Sequence, residues 1–243
     1  MGKLSVIGIG PGRYEDMTIR ADDALKKCDV IIGYNVYVEL VKARYSDKEF
    51  IITPMTKEAQ RCRIAIDRAI EGANVALICS GDSGIYGMAA LVYELRGEST
   101  EPEIEVVPGL TAACSGAAIL GAPLTHDFAV ISLSDRLTSW DKIETRLRAA
   151  AAADLSIVIY NPASKSRPDY LRRACEILLE ILPEDRPCAI AQNIGRAGQN
   201  RRMLTLGQLK EAEADMFCTV FIGNEMTRMI SGNMVTPRGY KNV

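Results

Sequence analysis

The sequence predicts an α/β protein of two α/β domains, each an open, mostly parallel sheet with helices packed on it. Three observations predict it. Short β-branched runs alternate with helical patterns along the chain. The alternation completes five strand–helix rounds, meets the Gly/Pro-punctuated joint Gly121-Ala122-Pro123-Leu124-Thr125-His126-Asp127, and starts again. A length of 243 residues suits two compact units better than one. The expected domains are residues 1–121 and 122–243.

In the first half, 4–9 (LSVIGI) reads as a buried strand. Thr18 is placed to cap a helix running through Lys27. Residues 29–34 read as a strand, 35–43 as a short helix and 49–53 as a strand. A helix over 56–71 carries Ala59, Cys62, Ala65, Ile66 and Ala69 at helical spacing and stops at Gly72. A strand at 74–80, a helix at 85–96, a strand at 103–107 and a helix at 110–120 complete this half. The second half gives strands at 128–134, 155–160, 187–194 and 216–223, with helices at 139–153, 167–182 and 206–214. Val106–Thr125 is uncharged and long enough to span a membrane. Its prolines, glycines and small polar residues read instead as a strand end, a turn and a small-residue helix.

Composition narrows the function. Hydrophobic residues make up 48% and charged residues 25%, the balance of a globular protein. With 29 Lys+Arg against 31 Asp+Glu the net charge is −2, which argues against nonspecific nucleic-acid binding. A single histidine, His126, excludes a His-rich zinc site or a di-iron bundle. Seven cysteines without CxxC spacing argue against a zinc ribbon, a ferredoxin cluster or a thioredoxin motif. No metal site is expected. The first residues, MGKLSVIGIG, enter a strand directly, and the scattered cysteines fit a reducing, cytoplasmic setting away from membranes.

In open α/β sheets ligands bind outside the carboxyl ends of the strands. After the first strand comes Gly8-Ile9-Gly10-Pro11-Gly12-Arg13. Its glycines allow a sharp turn or the close approach of a ligand. It is not a dinucleotide fingerprint, because Arg13 stands where GxGxxG needs glycine and the helix starts late, near Thr18. After the fourth strand, Ser80-Gly81-Asp82-Ser83-Gly84-Ile85-Tyr86 sets an acid between glycines. Asp82 or Ser83 either caps the next helix or faces a polar ligand. After the fifth strand comes a third small-residue crossing, Pro108-Gly109-Leu110-Thr111-Ala112.

These three loops resemble those of the tetrapyrrole methylase family. The segments His126–Asp135 (HDFAVISLSD), Tyr160–Arg167 (YNPASKSR) and Pro237-Arg238-Gly239-Tyr240 resemble the branch of that family that methylates carbon 17 of a corrin precursor. The resemblance covers essentially the whole chain. Ser83 departs from it, standing where the family usually has proline. The resemblance implies the family's own methylase fold, a homodimer, and S-adenosylmethionine (SAM) in a cleft between the domains. SAM is the methyl donor and S-adenosyl-L-homocysteine the product. The acceptor is precorrin-3B or cobalt-factor III, and ring contraction accompanies methylation.

The implied SAM residues are Gly10, Pro11, Gly81, Asp82, Ser83, Ile85, Tyr86, Thr111 and Ala112, with Asn161 and Ala189 from the second half. A flat ring carrying many carboxylates needs an apolar slot with a cationic rim. Candidates for that rim are Arg13, Lys165, Arg167 and Arg196, each of which can also be an ordinary solvated charge. The runs Tyr160–Arg173 and Ile194–Arg202 add Arg172, Arg173, Arg201 and Arg202. Ring contraction moves protons, which makes His126 the catalytic candidate. Its alternative is a hinge residue bonded to backbone. Rival functions are methylation at another ring carbon, which the YNPxSKxR-like segment argues against, and a non-catalytic nucleotide- or tetrapyrrole-binding protein.

Overall fold

The computed structural model describes residues 2–240. The chain divides into two compact units, Met1–Ala112 and Ala113–Val243. The second unit thus begins with the helix that precedes the Gly/Pro joint rather than after it.

The first unit contains β1 (Lys3–Gly8), a single 3-10 turn (Tyr14–Asp16), α1 (Ile19–Lys27), β2 (Val30–Tyr34), α2 (Asn35–Val41), β3 (Glu49–Thr53), α3 (Glu58–Ile70), β4 (Val75–Cys79), α4 (Ala89–Arg96) and β5 (Glu103–Val107). The five strands form one wholly parallel sheet in the order β3-β2-β4-β1-β5. Alternate side chains bury on opposite faces. Leu4, Val6, Val30, Ile32, Val75 and Leu77 pack with α3 and α4. Ile7, Ile31, Ala76 and Ile78 pack with α1 and α2. Coverage on both faces is why these strands read as continuous apolar runs. Thr18 caps α1 as expected, its hydroxyl accepting from the Ala21 N–H at 3.1 Å.

Two helices start later than the sequence suggests. The chain is left-handed at Thr56 (φ 69°) and at Tyr86 (φ 54°), conformations that a helix of L-residues cannot continue through. Helix 56–71 therefore begins at Glu58, and 85–96 begins at Ala89. Of the expected α3 stripe, Ala59 is exposed, whereas Arg61 is buried.

The second unit holds α5 (Ala112–Leu120, starting on the last residue of the first unit), β6 (Gly121–Ala122), β7 (Phe128–Ser132), α6 (Trp140–Ala152), β8 (Ser156–Tyr160), α7 (Tyr170–Leu179), β9 (Pro187–Gln192), β10 (Asn200–Thr205), α8 (Leu206–Lys210), β11 (Cys218–Ile222), β12 (Arg228–Ile230) and β13 (Asn233–Val235). Its main sheet has the order β10-β9-β11-β8-β7, and β12-β13-β6 form a smaller one. Parallel pairing in the main sheet is confined to β7 with β8. β11 runs against both β8 and β9, and β10 runs against β9. This corrects the expectation of a mostly parallel second sheet. The physical reason is β10, which sequence reading leaves in a loop because NRRMLT is polar and half-exposed. The turn from β9 into it is too short for a parallel crossover.

One face of this sheet packs on α6, α7 and α8 through Ile157, Ile159, Ile190, Val220 and Ile222. On the other face Phe221 meets α5. Among the described residues no helix is long and apolar enough to cross a membrane.

A Cβ added at Gly116 of α5 would lie 2.7 Å from the Phe221 ring. Alanine favours a helix over glycine by about 1 kcal/mol. Overpacking a buried contact costs about 1–3 kcal/mol, so the clash wins. Gly116→Ala is expected to lower the denaturant midpoint. Adding Phe221→Leu is expected to recover part of the loss, and a midpoint raised by Gly116→Ala alone would contradict the packing.

Candidate active site

β1 and β4 are neighbours at the middle of the first sheet, so their loops leave it side by side. Gly10 and Gly81 exchange both backbone hydrogen bonds, at 3.0 and 2.8 Å. Gly81 has φ 69°, a left-handed conformation that costs glycine little. The loop after β5 closes onto this pair. A Cβ at Gly109 would sit 2.1 Å from the Gly81 carbonyl oxygen, so only glycine allows the approach. Gly81 also faces Thr111 Cα at 3.7 Å and Ala112 N at 3.8 Å.

Side chains lock the three loops. Asp82 Oδ1 accepts from the N–H groups of Gly84 at 2.8 Å and Ile85 at 3.0 Å. Its Oδ2 accepts from Gly109 N–H at 2.9 Å. The carboxylate expected to face a ligand or cap a helix is therefore bonded to three backbone donors. Ser83 is fully buried and donates to the Val107 carbonyl at 2.9 Å. A proline at this position would have no hydroxyl to make that tie. Thr18 adds a third, donating to the Pro108 carbonyl at 3.2 Å. Ile85 and Tyr86 stay outside, 43% and 57% exposed. Gly10, Pro11, Gly81, Asp82, Ser83, Ile85, Tyr86 and Thr111 thus all lie on loops at the carboxyl edge of one sheet, and Ala112 begins the helix that follows the last of them.

Arg13 is exposed at the head of the 3-10 turn. That turn is anchored behind it, where Tyr14 and Tyr45 both donate to the buried Asp22, at 3.0 and 2.6 Å. Burial pushes the Asp22 carboxyl up. Hydrogen bonds from Lys26, Tyr45 and Tyr14 outweigh it and leave the group below its ordinary value.

In the second unit Asn161 follows β8 with φ 52°, which asparagine tolerates, and donates to Ser132 Oγ at 2.9 Å. Arg167 is half-buried and donates to Ser164 Oγ at 3.1 Å, Ser134 Oγ at 3.0 Å and Asp135 Oδ1 at 3.1 Å. Tyr170 donates to the other Asp135 oxygen at 2.6 Å. The Tyr170 bond, and after it the Arg167 bond, hold the Asp135 carboxyl below its ordinary value. Arg173 lies over Trp140 at 3.9 Å, and Arg172 pairs with Glu211 at 2.7 Å. Arg201 binds the Ile119 carbonyl and Asn233, and Arg202 binds the Glu213 carbonyl. Arg196 lies near the Phe217 ring. Lys165 is exposed.

Ala189 is fully buried inside β9, opposite Met203 and Phe221. His126 Nε2 lies 2.9 Å from the Pro237 carbonyl oxygen, a bond that puts the proton on that nitrogen. Sequence reading missed two features of these edges. The Tyr160 hydroxyl accepts from the Ala113 N–H at 2.7 Å, a contact no local pattern announces. Arg61 did leave a signal, because positions 61, 65 and 69 share one face of α3.

Three interlocked loops of small residues at the carboxyl edge of an open sheet, where α/β proteins bind their ligands, give an α/β protein whose candidate site is built largely of backbone. The family model described as Tetrapyrrole (Corrin/Porphyrin) Methylases matches residues 3–210, and the chain belongs to that family. It is 46% identical, over 98% of its length and 99% of the relative's, to the "Probable cobalt-factor III C(17)-methyltransferase" of Salmonella typhimurium. It is 43% identical over 99% of its length to the "Cobalt-factor III methyltransferase" of Priestia megaterium, of which it spans only 45%. Among solved structures, the methyltransferase CobJ matches with TM-score 0.91 and 35% identity, covering 98% of this chain and all of that one. The fold is also that of the uroporphyrin-III C-methyl transferase from Thermus thermophilus, at TM-score 0.73 and 20% identity over 91% of this chain and 97% of that one.

Asp82→Ala strands the three backbone donors and is expected to cost about 1–3 kcal/mol of stability, with Asp82→Asn costing less, as read by thermal unfolding. The Asp135 tie has a defined pH dependence. A carboxyl held below its ordinary value stabilises the fold above the aspartate range, and that contribution is lost as pH falls through it. Asp135→Asn should therefore lower Tm at pH 7, and the gap from the unsubstituted protein should close below about pH 4.

Proposed function

We propose that this chain transfers a methyl group from SAM to carbon 17 of a corrin precursor in cobalamin biosynthesis, with ring contraction accompanying the transfer. The observation that carries this reading is the 46% identity over nearly the full length of both chains with the cobalt-factor III relative. The names of the relatives favour cobalt-factor III over precorrin-3B as the acceptor.

The first unit suits SAM in its chemistry. The loops offer backbone groups and small residues next to an apolar pair, Ile85 and Tyr86, and a Cβ at Gly109 would collide with this arrangement. Bound SAM supplies an electrophilic methyl, so what the protein must add is alignment and exclusion of water. Gly10, Pro11, Gly81, Thr111 and Ala112 serve through their backbone. Asp82 and Ser83 hold that backbone in shape, and Ile85 and Tyr86 shield it from water. In the second unit Asn161 and the backbone at Ala189 are the groups assigned to SAM.

The acceptor's carboxylates are assigned to Arg13, Lys165 and Arg196. Arg167 acts through the loop it ties. His126 keeps Nδ1 as the proton acceptor, since Nε2 is engaged by Pro237. All seven cysteines are free, which supports a reducing, cytoplasmic setting, and a homodimer is the proposed assembly.

The test is the product mass after incubation with SAM and, separately, cobalt-factor III and precorrin-3B. One added methyl on either ring is expected, with a change in the visible spectrum. SAM binding without methylation of either ring would move the acceptor elsewhere in the family. In the same assay Lys165→Ala and Arg13→Ala are each expected to raise KM for the ring severalfold and to leave SAM affinity unchanged.

A further inference from the structure

Arg61 is a buried charge for which the loops described above have no use. It lies in the first turns of α3 and is only 3% exposed. Its Nε donates to Thr53 Oγ1 at 2.6 Å, its Nη2 to the Pro54 carbonyl at 2.9 Å, and its Nη1 points to the Met88 sulfur at 3.4 Å. Every one of these acceptors is neutral, and Arg61 forms no ion pair among the described residues. The contrast is Arg186, buried in the second unit at 9% exposure, which has Asp154 at 3.7 Å. A guanidinium stays protonated at any working pH. Burying one with no counter-charge is costly, so removing it relieves a desolvation penalty that offsets the hydrogen bonds lost.

The position of the charge suggests what balances it. Thr53 ends β3, and Met88 closes the loop that follows β4. The guanidinium therefore ties together two loops at the carboxyl edge of the sheet. Those loops expose the apolar side chains Met55 on one and Ile85 and Tyr86 on the other, with Thr56 and Lys57 exposed beside Met55. A fixed positive charge behind exposed apolar groups suits a ligand that is flat, apolar across its face and anionic at its edge. Neutral acceptors hold the guanidinium in place without cancelling its field.

We propose that Arg61 is a positioning residue for the polycarboxylate ring acceptor. It sets the loops 54–57 and 84–88 and supplies a counter-charge to the acceptor's carboxylates. This rests on the reading that the acceptor is a tetrapyrrole, and it adds a buried, hydrogen-bonded cation to exposed ones such as Lys57 on the same loop.

The experiment uses the full chain with Arg61→Met and Arg61→Lys, measuring Tm, SAM affinity by calorimetry, and KM and kcat with cobalt-factor III. For Arg61→Met the expected result is a Tm close to the parent's and a KM for the ring raised about tenfold, with the gap narrowing at high salt, against a much smaller loss of SAM affinity, since loop 84–88 also carries Ile85 and Tyr86. Arg61→Lys keeps the charge while losing most of the hydrogen bonds, and it is expected to recover much of the KM. An unchanged KM in Arg61→Met overturns the inference. So does a Lys variant as impaired as the Met variant with a matching loss of Tm, because that pattern marks a purely structural residue. If the unsubstituted protein does not turn over a tetrapyrrole at all, the functional reading itself falls and takes this inference with it, an outcome distinct from the other two.

Discussion

The site in the first unit depends on one close approach of backbone to backbone, where the loops after β1, β4 and β5 meet at Gly10, Gly81 and Gly109. Side chains are excluded there by distance, since even a Cβ at Gly109 would fall 2.1 Å from a carbonyl oxygen. Such an approach needs a device to hold it, and the Asp82 carboxylate, accepting from three N–H groups on two loops, is that device. Bonds to a charged acceptor are each worth about 1.5–3 kcal/mol, roughly twice a neutral bond. The strand order follows the same requirement. With β1 between β4 and β5, the loops that must interlock leave adjacent strands.

The cations sort by what they touch. Arg167, Arg172, Arg173, Arg201 and Arg202 look alike in a sequence count, yet each is engaged by a neighbour. An isolated exposed pair such as Arg172–Glu211 contributes about 0–1 kcal/mol and says little. The cluster of Arg167, Asp135 and Tyr170 differs, because it joins the loops after β7 and β8 through several geometrically fixed bonds. Exposed cations such as Arg13 and Lys165 can meet a carboxylate without first giving up a protein partner.

The first sheet was legible because both its faces are covered, so every strand is an apolar run such as VIIGY or VALIC. The candidate loops were legible because glycine and proline mark the strand ends. What stayed hidden depends on contacts between distant residues. β10 carries NRRMLT, a half-exposed pattern that makes sense only once β9 lies beside it. The late start of α4 follows from Tyr86 at φ 54°, a conformation that tyrosine's own preferences do not announce. Asp82 was visible as an acid between glycines, but whether it faces a ligand or its own backbone is decided by Gly109, a residue in another loop. Ala189 was placed correctly on a strand, yet its side chain is buried and leaves only backbone to offer.

A site made mostly of backbone has a consequence for how specificity is set. Holding three loops in register constrains few residue identities: glycines at the crossing, one carboxylate and a few hydroxyls. The fold therefore persists at 20% identity with TM-score 0.73, because most positions are free to change. Discrimination between acceptors must then come from side chains around the loops, whose charges and apolar surfaces are not fixed by the interlock. Exposed Met55, Ile85 and Tyr86, exposed Arg13 and buried Arg61 belong to that second set. Under the function proposed above, changing these side chains alters which ring is preferred while the crossing of Gly10, Gly81 and Gly109 stays as it is. Under that proposal the two tasks are separable, because one falls to peptide groups and the other to side chains.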